Sequence, residues 1–258
     1  MSRARWVAGV LWFVCASASL AIEPLEEIVD QRFDVDPDVT LSVQNIDGSI
    51  WVYGAEEPVI IVQAIKKAYS AERLQGIVID TKATPKSVTI TTKFPPRENA
   101  LSDRSGTVEY IIVVPQTAKI TQLELTNGEL LVEGLRKGGS AKARLVNGWM
   151  LGHNCFGNID LTVEKGRLDL AYDWWENDEF AIKAFALDGN MHAVFPSDAS
   201  MNLSAMAAEG RVANGFGEKK TEPKDVIHSV AEVVGPDARV VVSLEARSGN
   251  IRIEKLIY

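Results

Sequence analysis

The residues that could do chemistry are few and scattered. Three histidines, His153, His192 and His228, lie too far apart in the 258-residue chain to form a local zinc or nucleophile motif. No G-x-S-x-G elbow, H-E-x-x-H helix, phosphate-binding glycine loop or C-x-x-C pair occurs. Asp34-Val35-Asp36-Pro37-Asp38 has the alternating acids of a calcium loop, but Val39 stands where glycine is needed and Asn45 where the bidentate glutamate is needed. That segment reads as a solvated strand start with a proline turn. No catalytic residue, metal or cofactor is expected.

The most unusual segment is Asp173-Trp174-Trp175-Glu176-Asn177-Asp178-Glu179, in which two adjacent indoles stand beside four carboxylates. Indole faces stack and carboxylates accept hydrogen bonds, the pairing that sugar-binding sites use. In a strand the two indoles would face opposite ways, one into the core and one toward a ligand. The candidate ligand-binding residues are therefore Trp174, Trp175, Asp173 and Glu176. A carbohydrate lyase or hydrolase on a β-helix would instead need acids converging from neighbouring coils, such as Asp160 with Asp169 or Glu164.

At the N-terminus, Arg3 and Arg5 precede an apolar run, Trp6 to Ala16, and the small residues Ser17-Ala18-Ser19-Leu20-Ala21. This is the order of a secretory signal peptide, with cleavage expected near Ala21. The run is shorter than the roughly 20 apolar residues a spanning helix needs, so no stable transmembrane segment is expected after cleavage. Removing the two arginines takes the net charge from −8 to −10, which disfavours nucleic acid, anionic lipid and polyanionic polysaccharide as partners. A protein or a neutral glycan of the cell envelope fits. Cysteines number two, and Cys155 alone survives cleavage, so no disulfide staples the fold.

The elements that must carry these residues are strands. Thr40-Leu41-Ser42-Val43, Ser49-Ile50-Trp51-Val52-Tyr53, Lys119 to Leu125, Asn158 to Val163 and Gly249 to Ile253 alternate polar and apolar with period two. The runs Val59-Ile60-Ile61-Val62, Ile111-Ile112-Val113-Val114 and Val240-Val241-Val242 read as strands covered on both faces. Only Ser70 to Gln75 reads as helical, for about one turn.

Turn signals set the larger order. Asn127-Gly128, Asn147-Gly148, Lys165-Gly166, Asp188-Gly189, Glu209-Gly210 and Ser248-Gly249 recur at glycine spacings of 20, 18, 23, 21 and 39. Asp47-Gly48 precedes Gly128 by 80, which reads as four such periods, and Ser105-Gly106 precedes it by 22. A stride of about twenty residues is the signature of a solenoid, in which each coil buries its apolar side chains only against the next. The expected fold is an all-β, right-handed β-solenoid with coils of about twenty residues. An antiparallel β-sandwich is the alternative, because Asn-Gly and Asp-Gly also make tight hairpin turns.

Phe33 to Pro37 leading into Leu41 to Gly54, the Ser105-Gly106 to Pro115 segment, the Asn127-Gly128 and Asn147-Gly148 coils and the closing Ser248 to Ile253 resemble the bacterial adhesin-like domains of unknown function. These are envelope-associated β-solenoids similar to GIN-type head domains, and the likeness spans nearly the whole mature chain. It implies a fold and an envelope location, with no catalytic site. The chain departs from that pattern at Trp174-Trp175 and from Glu218 to Glu232. The expected organisation is a signal peptide at 1–21, an acidic leader at 22–32 and one adhesin-like domain at 33–258. The expected role is an exported, non-catalytic binding or structural module in the periplasm, at the cell surface or outside the cell. The competing roles are a β-helix carbohydrate-active enzyme and an envelope-stress accessory protein.

Overall fold

In a computed structural model of the protein, residues 23–96, 106–217 and 227–256 are described. The expected signal peptide lies outside them. The chain is all-β, with one large mixed sheet that does not close on itself. Its elements are β1 (Leu25–Asp34), β2 (Thr40–Ala55), β3 (Val59–Ala68), α1 (Ala71–Gly76), β4 (Val78–Thr84), β5 (Ser87–Lys93), β6 (Thr107–Pro115), β7 (Lys119–Glu133) and β8 (Ser140–His153). They continue with β9 (Asn158–Ala171), β10 (Ala181–Pro196), β11 (Met201–Ala207), β12 (Val212–Asn214), β13 (Ser229–Val234), β14 (Val240–Ser248) and β15 (Ile251–Leu256). Among the described residues no helix is long and apolar enough to cross a membrane.

Five long strands, β2, β7, β8, β9 and β10, pair in parallel and in register. In each of them the buried positions change parity across a glycine or its aspartate–glycine pair. Leu41 and Val43 are buried before Gly48, and Ile50 and Val52 after it. Leu161 and Val163 precede Gly166, and Leu168 and Leu170 follow it. Side chains alternate along a straight strand, so both halves can face one core only if the chain bends at the glycine. The glycines stack where it bends. Gly48 faces Gly128, which faces Gly148, then Gly166 and Gly189. Gly128 and Gly148 hold φ of 133° and 137°, and a Cβ on Gly148 would come within 1.9 Å of the Gly128 carbonyl oxygen. Beside the column, the Asn127 amide donates to Asp47 (2.7 Å) and the Asn147 amide to Asn127 (3.0 Å).

The spatial order of the glycines differs from their order in the chain. Gly48 and Gly128 are immediate neighbours rather than four periods apart, because the intervening residues leave the stack and build its first end. There β5 and β6 pair in parallel with β2, while β3, β1 and β4 add antiparallel strands outside them. At the other end β14 and β15 lie between β10 and the pair β11 and β12. A Cβ on Gly249 would meet the Gly189 oxygen at 1.9 Å, and one on Gly210 the Gly249 oxygen at 1.8 Å. The spacing of 39 is thus not a doubled stride, since the last level inserts beneath the one that precedes it in sequence. Gly106 is outside the column and packs near Arg73, Ile77 and Phe94.

Three local expectations change. The acidic stretch before residue 33 is built into the sheet as β1, held to β3 by Lys66–Glu27 (2.8 Å) and Lys67–Glu26 (3.5 Å) ion pairs. The runs at 59–62, 111–114 and 240–242 are covered on one face: Ile61 and Val241 are exposed while Ile60, Val62, Val240 and Val242 are buried. Apolar residues on the outer face hid the alternation there. The alternation from Lys119 to Leu125 is broken by a register shift at Thr121, so Ile120, Leu123 and Leu125 are the buried residues. The short helix forms where its N-cap places it, with Ser70 accepting from the Arg73 N–H at 3.2 Å.

Candidate functional site

The tryptophan segment leaves the end of β9 as a loop, not a strand. Tyr172 turns inward and its hydroxyl donates to the Cys155 carbonyl (2.9 Å). Trp175 follows it in, 5.6 to 5.8 Å ring to ring from Tyr172, Phe180 and Phe195, with its indole N–H on the Ser200 carbonyl (3.2 Å). Trp174 points out and is 43% exposed. The divergence expected of a strand is therefore produced by a loop folded over an aromatic floor.

Trp174 is held in place from below and from the side. Its ring centroid lies 5.5 Å from that of Phe156, and the Arg136 guanidinium sits 5.4 Å from the Trp174 ring and 5.1 Å from the Phe156 ring. Glu176 accepts from the Trp174 indole N–H (3.2 Å) and forms an ion pair with Arg136. Asp178 pairs with Lys137 (3.1 Å), tying the loop a second time to the turn after β7.

Asp173 fixes the loop's other end. Asn154, in the left-handed region at φ 47°, donates its amide to the Asp173 carboxylate (3.0 Å) and accepts from the Asp173 backbone N–H (2.9 Å). His153 Nε2 lies 3.0 Å from the same carboxylate, and its Nδ1 lies 3.3 Å from Glu133. The Asn154 amide first, and the His153 ring after it, hold the Asp173 carboxyl below its ordinary range. Beneath them Cys155 is fully buried, and burial pushes its thiol up to about 12. A thiol so placed stays protonated and is no nucleophile.

No family model and no curated protein matches this sequence. Among solved structures the chain is similar to a provisionally named cell adhesion protein from Clostridium sporogenes, with 17% identity and a TM-score of 0.48 over 91% of this chain and 100% of that one. It is also similar to a provisionally named adhesin from Bacteroides fragilis and a provisionally named lipid binding protein from Parabacteroides distasonis. Each of these two has 9% identity and a TM-score of 0.31 over 89% of this chain and 97% of that one.

The four candidate residues divide by what they can still do. Trp175 is spent on packing, Asp173 and Glu176 each carry contacts within the protein, and Trp174 and Asp173 are the exposed members of the four. The acids do not converge: Asp173 goes to Asn154 and His153, Glu176 to Arg136, and Asp178 to Lys137. Asp160 and Asp169 lie on opposite sides of the bend in β9, and Glu164 pairs with Arg144. Among the described residues no group of three or more His, Cys, Asp or Glu is placed to hold a metal ion. Arg136, Asn154 and Phe156 were not singled out from the sequence. Arg136 is 40 residues from Glu176, and only the parallel pairing of β7, β8 and β9 brings them together.

Proposed function

We propose that this protein is an exported, non-catalytic binding module whose long strands wind as a right-handed β-solenoid of about twenty residues per coil. It presents Trp174 to a protein or neutral glycan of the cell envelope. The observation that carries this reading is the rigid presentation of an exposed indole: Arg136 and Phe156 flank Trp174, Glu176 engages its N–H, and the loop is pinned at both ends. A large aromatic fixed in this way loses little entropy on binding, which is how anchors of recognition surfaces act. The parallel, in-register strands supply the stiffness. A net charge of −8 for the whole chain favours neutral or basic partners over polyanions.

The test is a binding screen of the protein lacking residues 1–21 against envelope glycans and envelope protein extracts. Trp174→Ala is compared with a conservative Trp174→Phe. Binding lost in Trp174→Ala and retained in Trp174→Phe, with unchanged circular dichroism, is the expected result. Equal binding by all three forms would remove Trp174 from the site.

A further inference from the structure

A sheet that does not close on itself must end on strands whose outer backbone groups lack a ladder partner. Among the described residues those ends are β1, β4, β12 and β13. Three of them are protected in the ways edge strands usually are. β1 carries Glu26, Glu27, Asp30, Arg32 and Asp34, and β4 carries Asp80 and Lys82. These two ends are also tied to each other, the Thr81 hydroxyl of β4 donating to Gln31 of β1 (3.0 Å). β12 is only three residues long. β13 differs: Ser229-Val230-Ala231-Glu232-Val233-Val234 has no proline, no lysine and a single acid, which is held by the Asn214 amide (2.7 Å).

Which backbone groups of β13 face outward follows from its antiparallel pairing with β11. The Ala207 N–H donates to the His228 carbonyl (2.8 Å), and antiparallel strands exchange hydrogen bonds at every second residue pair. Val230, Glu232 and Val234 therefore spend their N–H and C=O groups on β11, while those of Ser229, Ala231 and Val233 point away from the sheet. The side chains of the same three residues are exposed. Val233, at 68%, is the most exposed large apolar side chain among the described residues, and Val241 and Met206 are exposed on the same face.

A strand fits such an edge, and the copy of β13 related by a two-fold axis through Ala231 matches it residue for residue. Ser229 then lies opposite Val233, Ala231 opposite Ala231, and Val233 opposite Ser229, so all three outward sets of backbone groups find partners. Shifted by two residues, the pairing would need Ile227, whose carbonyl is taken by the Val212 N–H (2.8 Å), or Gly235, which leaves the strand at φ 71°. In the centred register each Val233 meets a small Ser229, with Met206 of that copy on the next strand beyond. Glu232 faces Val230, so no acid stands directly opposite an acid.

We propose that β13 is the contact of a two-fold dimer, in which a second copy of this chain adds its own β13 antiparallel to the first and joins two sheets into one. The contact is independent of Trp174. Six residues from each copy bury little beside the roughly 1,200–2,000 Å² of a standard interface, so the dimer is one that dilution dissociates. Sedimentation velocity of the protein without residues 1–21, which keeps every described strand, tests this over a roughly hundredfold range of concentration. Because Ala231 faces itself across the axis, Ala231→Glu and Ala231→Lys each set like charges against each other. The parent protein should dimerise as concentration rises, and each variant alone should do so roughly tenfold more weakly or worse. An equimolar mixture of the two variants should recover the dimer. Trp174→Ala should dimerise as the parent does, so loss of ligand binding in that variant and loss of the dimer are separate results.

Hydrogen exchange of the parent protein gives a second reading without any substitution. The amides of Ser229, Ala231 and Val233 should exchange readily at low concentration and gain protection at high concentration, while those of Val230 and Glu232 are protected at both. A parent protein that stays monomeric throughout overturns the two-fold contact. So does a dimer that neither variant weakens, or a mixture of folded variants that remains monomeric. If a variant loses the parent's circular dichroism, the exchange pattern decides, and unchanged exchange at Ala231 across the concentration range overturns the contact.

Discussion

At the scale of single residues, the glycine column is the most exacting feature of the chain. Gly148 needs both its conformation and its missing side chain: φ is 137°, and an added Cβ would stand 1.9 Å from the Gly128 oxygen. Gly138 also has positive φ, 92°, but a Cβ there would meet nothing within 4 Å. Gly138→Ala should therefore cost only backbone strain, about 1 kcal/mol. Gly148→Ala must in addition push neighbouring hydrogen-bonded strands away from each other, a loss of about 3 kcal/mol or more. Urea denaturation of both variants measures the contrast, with the midpoint of Gly148→Ala well below that of Gly138→Ala. Equal midpoints would mean that the stack has enough play to admit a methyl group.

At the scale of elements, the Trp174 loop is a clasp whose strength depends on acid. The carboxyl of Asp173 is held below its ordinary value of 3.8, chiefly by the Asn154 amide. A depressed carboxylate contributes stability that is present above its unfolded value and is lost as the pH falls through the folded one. The clasp should therefore be intact at neutral pH and down to about 3.8, opening only below it. Because the group is largely exposed, the effect is local to the loop and small against global stability. Trp174 fluorescence, read as the difference between the protein and Trp174→Phe, should stay constant to that point. Asn154→Gly keeps the left-handed backbone and removes the amide, so its transition should move to higher pH. An unmoved transition would assign the clasp to the Arg136–Glu176 and Lys137–Asp178 pairs. This loop also shows where sequence reading stops. One buried and one exposed indole were legible in Trp174-Trp175, but the loop's partners, Asn154 at Asp173 and Arg136 at Trp174 and Glu176, come from turns after other strands and share no local pattern with it.

At the scale of the whole molecule, the positions of the glycine bends were legible and the order in which their strands pair was not. Alternation around Gly128, Gly148 and Gly166 is local and survives in the structure, since each bend needs its own glycine. The register Gly48 to Gly128 and Gly189 to Gly249 to Gly210 is not local. A parallel ladder leaves no trace of which connection led from one strand to the next. The insertion of β14 and β15 has a consequence for assembly. These strands supply the partner on which both β11 and β12 rest, and they bury Val240, Val242, Leu244, Ile251 and Ile253. If levels docked strictly in chain order, removing residues 240–258 would merely shorten the stack. Because the last level lies inside, the same deletion should strip β11, β12 and the antiparallel β13 of their support and uncover the inner face of β10. Hydrogen exchange of the truncated chain should show amides from 201 to 214 exchanging freely, while those from 119 to 153 remain protected. Protection of 201 to 214 without the last two strands would show instead that this level can dock directly on β10, with β14 and β15 entering afterwards between them.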